Sequence, residues 1–175
     1  MNQAEEHSLE HDWFTWPIPE NVKIGRDTWV YSSFAFLHFQ SRLRNAVVIG
    51  KHSGIYNGTF FDLGPTGNVR IGDYCTIVGA ILSTNGRITL SDYIFIAHEV
   101  TIADHAFVTP EHEHSSQPSD VFIGDNVWIG ARSIILGGVN IGEGSVIGAG
   151  SVVDFDVPSL SVVAGNPGQV IRTLK

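Results

Sequence analysis

At 175 residues and 19.1 kDa, the chain is long enough for one well-filled domain and too short for two comfortable ones. With 43% hydrophobic and 16% charged residues it reads as a packed protein rather than a disordered one, and a formal charge of −8 argues against a nucleic-acid surface, which needs clustered Lys and Arg. The one cysteine, Cys75, can form no internal disulfide, so nothing calls for an oxidising compartment.

Residues 1–21 read as a tail or cap. Glu5, Glu6, Glu10 and Asp12 make the start acidic, without the basic start and apolar run of a signal peptide. No stretch approaches the roughly 18 apolar residues of a membrane span, and the expectation is a soluble, cytoplasmic protein with no membrane span. The following DWFTWPIPENV is rich in aromatics, with Trp13, Phe14 and Trp16 close together. It suits either a cap on an open strand edge or a contact with a neighbouring subunit.

Residues 22–173 form the repeat domain. Aliphatic or aromatic anchors recur at six-residue steps: Ile24, Val30, Phe36; Ile49, Ile55, Phe61; Ile71, Ile77; Leu90, Ile96, Ile102. The third anchor of the Ile71 set would be Ser83, a poor fit. The period is clearest from Ile123 through Ile129, Ile135, Ile141 and Ile147 to Val153, where Gly124, Gly130, Gly142 and Gly148 directly follow four of the anchors. Small or β-branched residues (Val127, Ser133, Val139, Ser145, Ser151) follow four steps after an anchor.

Six residues is 1.67 helical turns, so such anchors would spiral around an α-helix. Three short strands per coil satisfy the pattern, each with one inward aliphatic and one smaller inward residue. Glycine is expected at the bends for its access to positive φ. The predicted fold is therefore all-β: a parallel β-helix, a triangular prism of stacked coils, with an extended loop at one corner.

Coil starts at 24, 49, 71, 90, 123 and 141 lie 25, 22, 19, 33 and 18 residues apart. Every excess over 18 falls after the third anchor of its coil, so the insertions leave the prism at one corner, where function usually sits.

The phrases IGDNVWIGARSIILGGVNIGEGSVIGAGSVV and VVAGNPGQVIR resemble the left-handed β-helix (hexapeptide-repeat) acyltransferases, most closely the maltose, galactoside and polysaccharide-sugar O-acetyltransferases. The likeness is specific from 123 to 172 and repeat-level before 90. It implies the left hand, a homotrimer with sites between prisms, and acetyl transfer from acetyl-CoA to a hydroxyl or amino group of a small sugar-like acceptor. No resident metal is expected.

Such transfer needs a base for the acceptor proton and donors for the oxyanion. His105, in TIADHAF, begins the 15-residue insertion, the place of the family's catalytic histidine; the resemblance makes it the general base. His112 and His114 follow on the same loop. FIAHEV puts His98 and Glu99 where relatives carry a proline and the acceptor-binding asparagine. By the same resemblance Trp128 borders the coenzyme groove and the backbone at Ala131 and Ala149 binds the pantetheine arm. Asn166, within AGNP, lies near the adenine end, and Arg172 supplies a cation. Asp154, Phe155 and Gln169 stand where relatives are polar or basic. Two rival readings carry a discriminating feature each: a γ-carbonic-anhydrase-like zinc enzyme needs histidines within the coils, and a catalytically silent structural trimer needs no base at the loop.

Overall fold

A computed structural model of the protein describes residues 9–104 and 120–175. Short strands stack into three parallel sheets, the faces of a left-handed β-helix of about six coils. The first face is built from Val22–Ile24, Val47–Ile49, Asn68–Ile71, Arg87–Leu90, Val121–Ile123 and Asn140–Ile141. The second runs from Trp29–Val30 through Gly54–Ile55, Thr76–Ile77, Phe95–Ile96, Trp128–Ile129 and Val146–Ile147 to Ser161–Ala164. The third holds Phe60–Leu63, Ile81–Thr84, Thr101–Ala103, Ile134–Leu136 and Val152–Val153.

The anchors pair in register, Ile96 with Ile77 and Ile129 for example, so they pile into ladders inside the prism. Val127, Ser133, Val139, Ser145 and Ser151 fill the corners between the ladders and are all buried. A buried hydroxyl must find a partner. Ser133 Oγ donates to the carbonyls of Gly130 (2.8 Å) or Gly148 (2.9 Å), and Ser151 Oγ to that of Gly148 (2.6 Å).

Four expectations change. Leu82, not Ser83, is the third anchor of the Ile71 coil: it pairs with Phe61 and Ile102 and is fully buried. The bend before it, Val78–Ala80, is one residue shorter than its neighbours, which shifts the inward position back by one. Phe36 lies in a 3-10 turn (Ser33–Phe36) instead of a strand, yet its ring stacks on Phe61 at 4.9 Å and 7°, so the ladder continues. Ile24 is 37% exposed, because it belongs to the first coil and no strand among the described residues pairs on its outer side.

The fourth change concerns glycine. Gly124, Gly130 and Gly142 are not the positive-φ residues; their role is close approach. A Cβ on Gly130 would meet the Ala149 nitrogen at 2.6 Å and one on Gly142 the Ser159 nitrogen at 2.4 Å. Positive φ falls three residues after the anchor instead, at Asp27, His52, Tyr74, Tyr93 and Asn126 on the first edge. That conformation turns the residue's N–H back to the previous coil, as Tyr93 N donates to Asp73 O (2.9 Å) and Asn126 N to Asp92 O (2.9 Å).

Residues 9–18 fold against the first coil. Leu9 and Ile18 pack on the core, and His11 stacks on Trp29 at 4.0 Å. Asp12 is the anchor of this segment, accepting from Ser32 Oγ (2.7 Å), Ser33 N (2.6 Å) and Phe14 N (3.0 Å). Burial alone would raise its pKa, but the hydrogen bonds from Ser32, Ser33 and Phe14 outweigh it and lower the value from 3.8 to about 2.

Leu82→Ala should cost about 2–5 kcal/mol in chemical denaturation, from lost burial and the cavity, whereas Ser83→Ala should cost no more than about 1.5 kcal/mol for its one side-chain hydrogen bond. Because the folded pKa of Asp12 lies below its ordinary value, its contribution is present above about pH 4 and lost as pH falls toward 2. Amide exchange at Ser33 should accelerate over that interval, and Asp12→Asn should abolish the pH step.

Candidate active site

The edge between the second and third faces carries the features that suit a ligand. Its positive-φ positions, coil by coil, are Gly58, Gly79, Glu99, Arg132, Gly150 and Gly165. On the edge between the first and second faces the equivalent positions mostly carry side chains, Gly144 being the exception, and His52, Tyr74 and Tyr93 stack 5.0 and 5.1 Å apart. The bare edge therefore exposes its main chain. A Cβ at Gly150 would meet nothing within 4 Å, so open space, not packing, lies in front of it.

Only Glu99 and Arg132 interrupt this row of glycines. Arg132 Nε donates to Glu99 Oε2 at 2.7 Å, and Arg132 N donates to His98 O at 2.9 Å. Hydrogen bonding and charge attraction from Arg132 hold the Glu99 carboxyl below its ordinary pKa, and Glu99 raises that of Arg132. Both side chains are exposed, so the pair contributes little to stability. His98, Glu99, Ala131, Arg132, Ala149 and Gly150 together line one open groove.

Five of the expected site residues thus lie along one edge: His98, Glu99, Ala131, Ala149 and Asn166. Asn166 follows Gly165, whose carbonyl accepts from Val152 N at 3.0 Å, on the last coil. Trp128 stands beside the groove on the second face, 56% exposed and edge-on to Phe95 (5.8 Å, 89°). Trp128 pairs with Val146, Val146 with Val162, and Val162 with Arg172, so Trp128 and Arg172 belong to one outward file across that face.

His105, His112 and His114 lie outside the described residues. The stem of their loop is described. Asp104 closes the third face and accepts from Thr84 Oγ (2.6 Å), Gly86 N (2.7 Å) and Asn85 N (2.8 Å). The loop therefore departs from the edge between the third and first faces, not from the glycine edge. Among the described residues no group of three or more His, Cys, Asp or Glu side chains could hold a metal ion.

The departures at Asp154, Phe155 and Gln169 have partial structural reasons. Phe155 packs against the core, and neighbouring Asp156 accepts from Asn140 N (2.8 Å) and Nδ2 (3.1 Å), which lowers its pKa. Gln169 pairs with Ala164 on the closing antiparallel strand Gln169–Thr173. Nothing in the structure explains Asp154. Sequence reasoning missed Arg132, although a signal existed: it stands three residues after Ile129, as Glu99 stands three after Ile96.

A β-helix of six-residue steps with such an open groove defines the hexapeptide-repeat class. Residues 120–154 of the chain match the family described as bacterial transferase hexapeptide (six repeats). It is similar to the galactoside O-acetyltransferase of Escherichia coli K12, with 33% identity over 132 residues, 72% of this chain and 63% of that protein. The chain spans 57% and 63% of the length of the first two curated relatives it matches. Among solved structures it is similar to a hexapeptide-repeat acetyltransferase of Vibrio cholerae O1 biovar eltor complexed with acetyl-CoA. Identity there is 26% and TM-score 0.63, over 82% of this chain and 75% of that one. A galactoside acetyltransferase in complex with coenzyme A matches at 28% identity and TM-score 0.62, over 89% and 66% of the two chains.

Replacing Glu99 or Arg132 by Gln should leave the thermal midpoint unchanged within error, as expected of an exposed pair. A marked loss in either variant would assign the pair to the fold rather than to the groove.

Proposed function

We propose that the protein transfers an acetyl group from acetyl-CoA to a hydroxyl or amino group of a small sugar-like acceptor. The observation that carries this reading is the glycine edge: a row of bare main chain, with open space before it at Gly150, interrupted only by Glu99 and Arg132. A thin, flexible arm can approach such a backbone closely, and amides along an edge can bind its polar groups. The Trp128 to Arg172 file would form the groove's side wall and place one cation toward its far end. Similarity to acetyltransferases solved with acetyl-CoA or CoA supports the same donor.

In the proposed reaction His105 accepts the proton of the acceptor group as its oxygen or nitrogen attacks the thioester carbonyl carbon. The tetrahedral intermediate then expels the thiolate, which leaves as CoA-SH once protonated. Glu99, ionised and acceptor-only, would receive a hydroxyl or ammonium hydrogen of the acceptor. Because the loop stem and the glycine edge lie on different edges of the prism, a neighbouring copy would complete the site, which favours a homotrimer with sites between subunits.

Acetyl-CoA should raise the unfolding midpoint in a concentration-dependent way, and Gly150→Asn, which puts a side chain into the groove, should weaken that effect. His105→Ala should lower turnover about 10²- to 10⁴-fold in a CoA-release assay while retaining the acetyl-CoA protection. Turnover near wild type would remove His105 from the mechanism; absence of any protection would remove acetyl-CoA as donor.

A further inference from the structure

The glycine edge does not end at Glu99. Past Gly79 it reaches Asn57 and Gly58, and there the aromatic N-terminal segment folds over it. Trp13, Tyr31, Phe34, Tyr56 and Asn57 line a pocket at this end, and none of the described residues lining it is charged. Trp13 and Phe14 both rest on Phe34 (5.4 and 5.1 Å), which in turn meets Phe60 edge-on (5.5 Å). The three hydrogen bonds to Asp12 hold this wall in place.

Several exposed aromatics face solvent here: Trp13 is 63% exposed, Tyr56 42% and Tyr31 40%. The Asn57 side chain is exposed beside them, with amide donors and an acceptor on hand. Asn57 and Gly58 belong to the second coil and Glu99 to the fourth, so two inter-coil steps, about 10 Å, separate pocket and ion pair along one edge. That is the span of two linked sugar rings.

We propose that this pocket is a second acceptor subsite, which binds a neutral sugar ring glycosidically linked to the ring that is acetylated at Glu99. Aromatic faces stack on the apolar C–H faces of a pyranose, and Asn57 bonds its hydroxyls. The uncharged lining among the described residues suits a neutral ring better than a phosphate, a uronate or an amino sugar. The subsite gives the sugar-acceptor reading a size: the acceptor is an oligosaccharide or a glycoside rather than a single ring. It also gives the Trp13 segment a role beyond covering the first coil.

The inference rests on the sugar-acceptor reading, and its test is one of binding, independent of turnover. Glucose, maltose and cellobiose are titrated into the full-length protein by calorimetry. At least one disaccharide should bind about tenfold more tightly than glucose, the gain expected of one aromatic stacking contact. Trp13→Ala and Asn57→Ala should each abolish or sharply reduce that gain. Trp16→Ala, whose ring is equally exposed but outside the pocket lining, should keep it, and unchanged thermal midpoints would show that all three variants fold. Equal binding of glucose and both disaccharides, no binding of any sugar, or a gain that survives Trp13→Ala would overturn the subsite. Acetyl-CoA protection without a disaccharide gain would leave the transferase reading standing and remove only the subsite. A gain without protection would do the reverse.

Discussion

Main-chain hydrogen bonding between successive coils is the constraint on which the rest of this structure depends. Along each face an N–H donates to the carbonyl one coil onward, as Trp128 N does to Ser145 O. At the positive-φ residue of the bend the N–H turns and donates backward, as Arg132 N does to His98 O. Each coil is thereby locked to both neighbours, and six-residue spacing becomes the rule, with the five-residue step from Ile77 to Leu82 as an exception. The aliphatic ladders follow, because parallel strands in register put like positions over like positions. Close approach follows too, which is why a side chain after the anchor at Gly130 or Gly142 would strike the next coil's backbone.

The same constraint makes the edges differ. On the first two edges the bends carry a residue at positive φ, whose side chain points off the edge. On the first edge histidine and tyrosines take the position and stack on one another, so the edge is covered by its own side chains. On the second edge glycine takes it four times, and the main chain is open to a ligand. Non-glycine residues in this conformation carry a local conformational cost. Glu99 and Arg132 accept that cost in the middle of the bare edge, where their charges face the groove and one another.

The placement of the long insertion divides the labour. Asp104 ties the loop stem to Thr84, Asn85 and Gly86, one edge away from the groove. The N-terminal segment, held by Asp12, sets aromatic rings at the other end of the same backbone edge. Three separate parts of the chain therefore contribute to the proposed site. A continuous backbone edge aligns two of them, and a neighbouring copy is proposed to bring the third.

Much of this was legible in the chain itself. The repeat, the strand class, the buried serines and the single corner of insertion follow from spacing, because a strict period fixes which residues share a face. His98, Glu99, Ala131 and Ala149 were singled out by the family resemblance rather than by spacing. What spacing could not give were the exceptions. The Ser83 misfit became Leu82 only because the Val78–Ala80 bend is one residue short, a fact set by pairing with the coils above and below. The IG glycines answer to the next coil's backbone rather than to their own φ, and no single coil contains that information. The Glu99–Arg132 pair joins residues 33 apart, and the Asp12 anchor joins residues 20 and 21 apart. The sequence by itself determined the period, and with it the prism. The stacking of coils decided which edge stays open and what stands along it, because only stacking brings residues from different coils side by side.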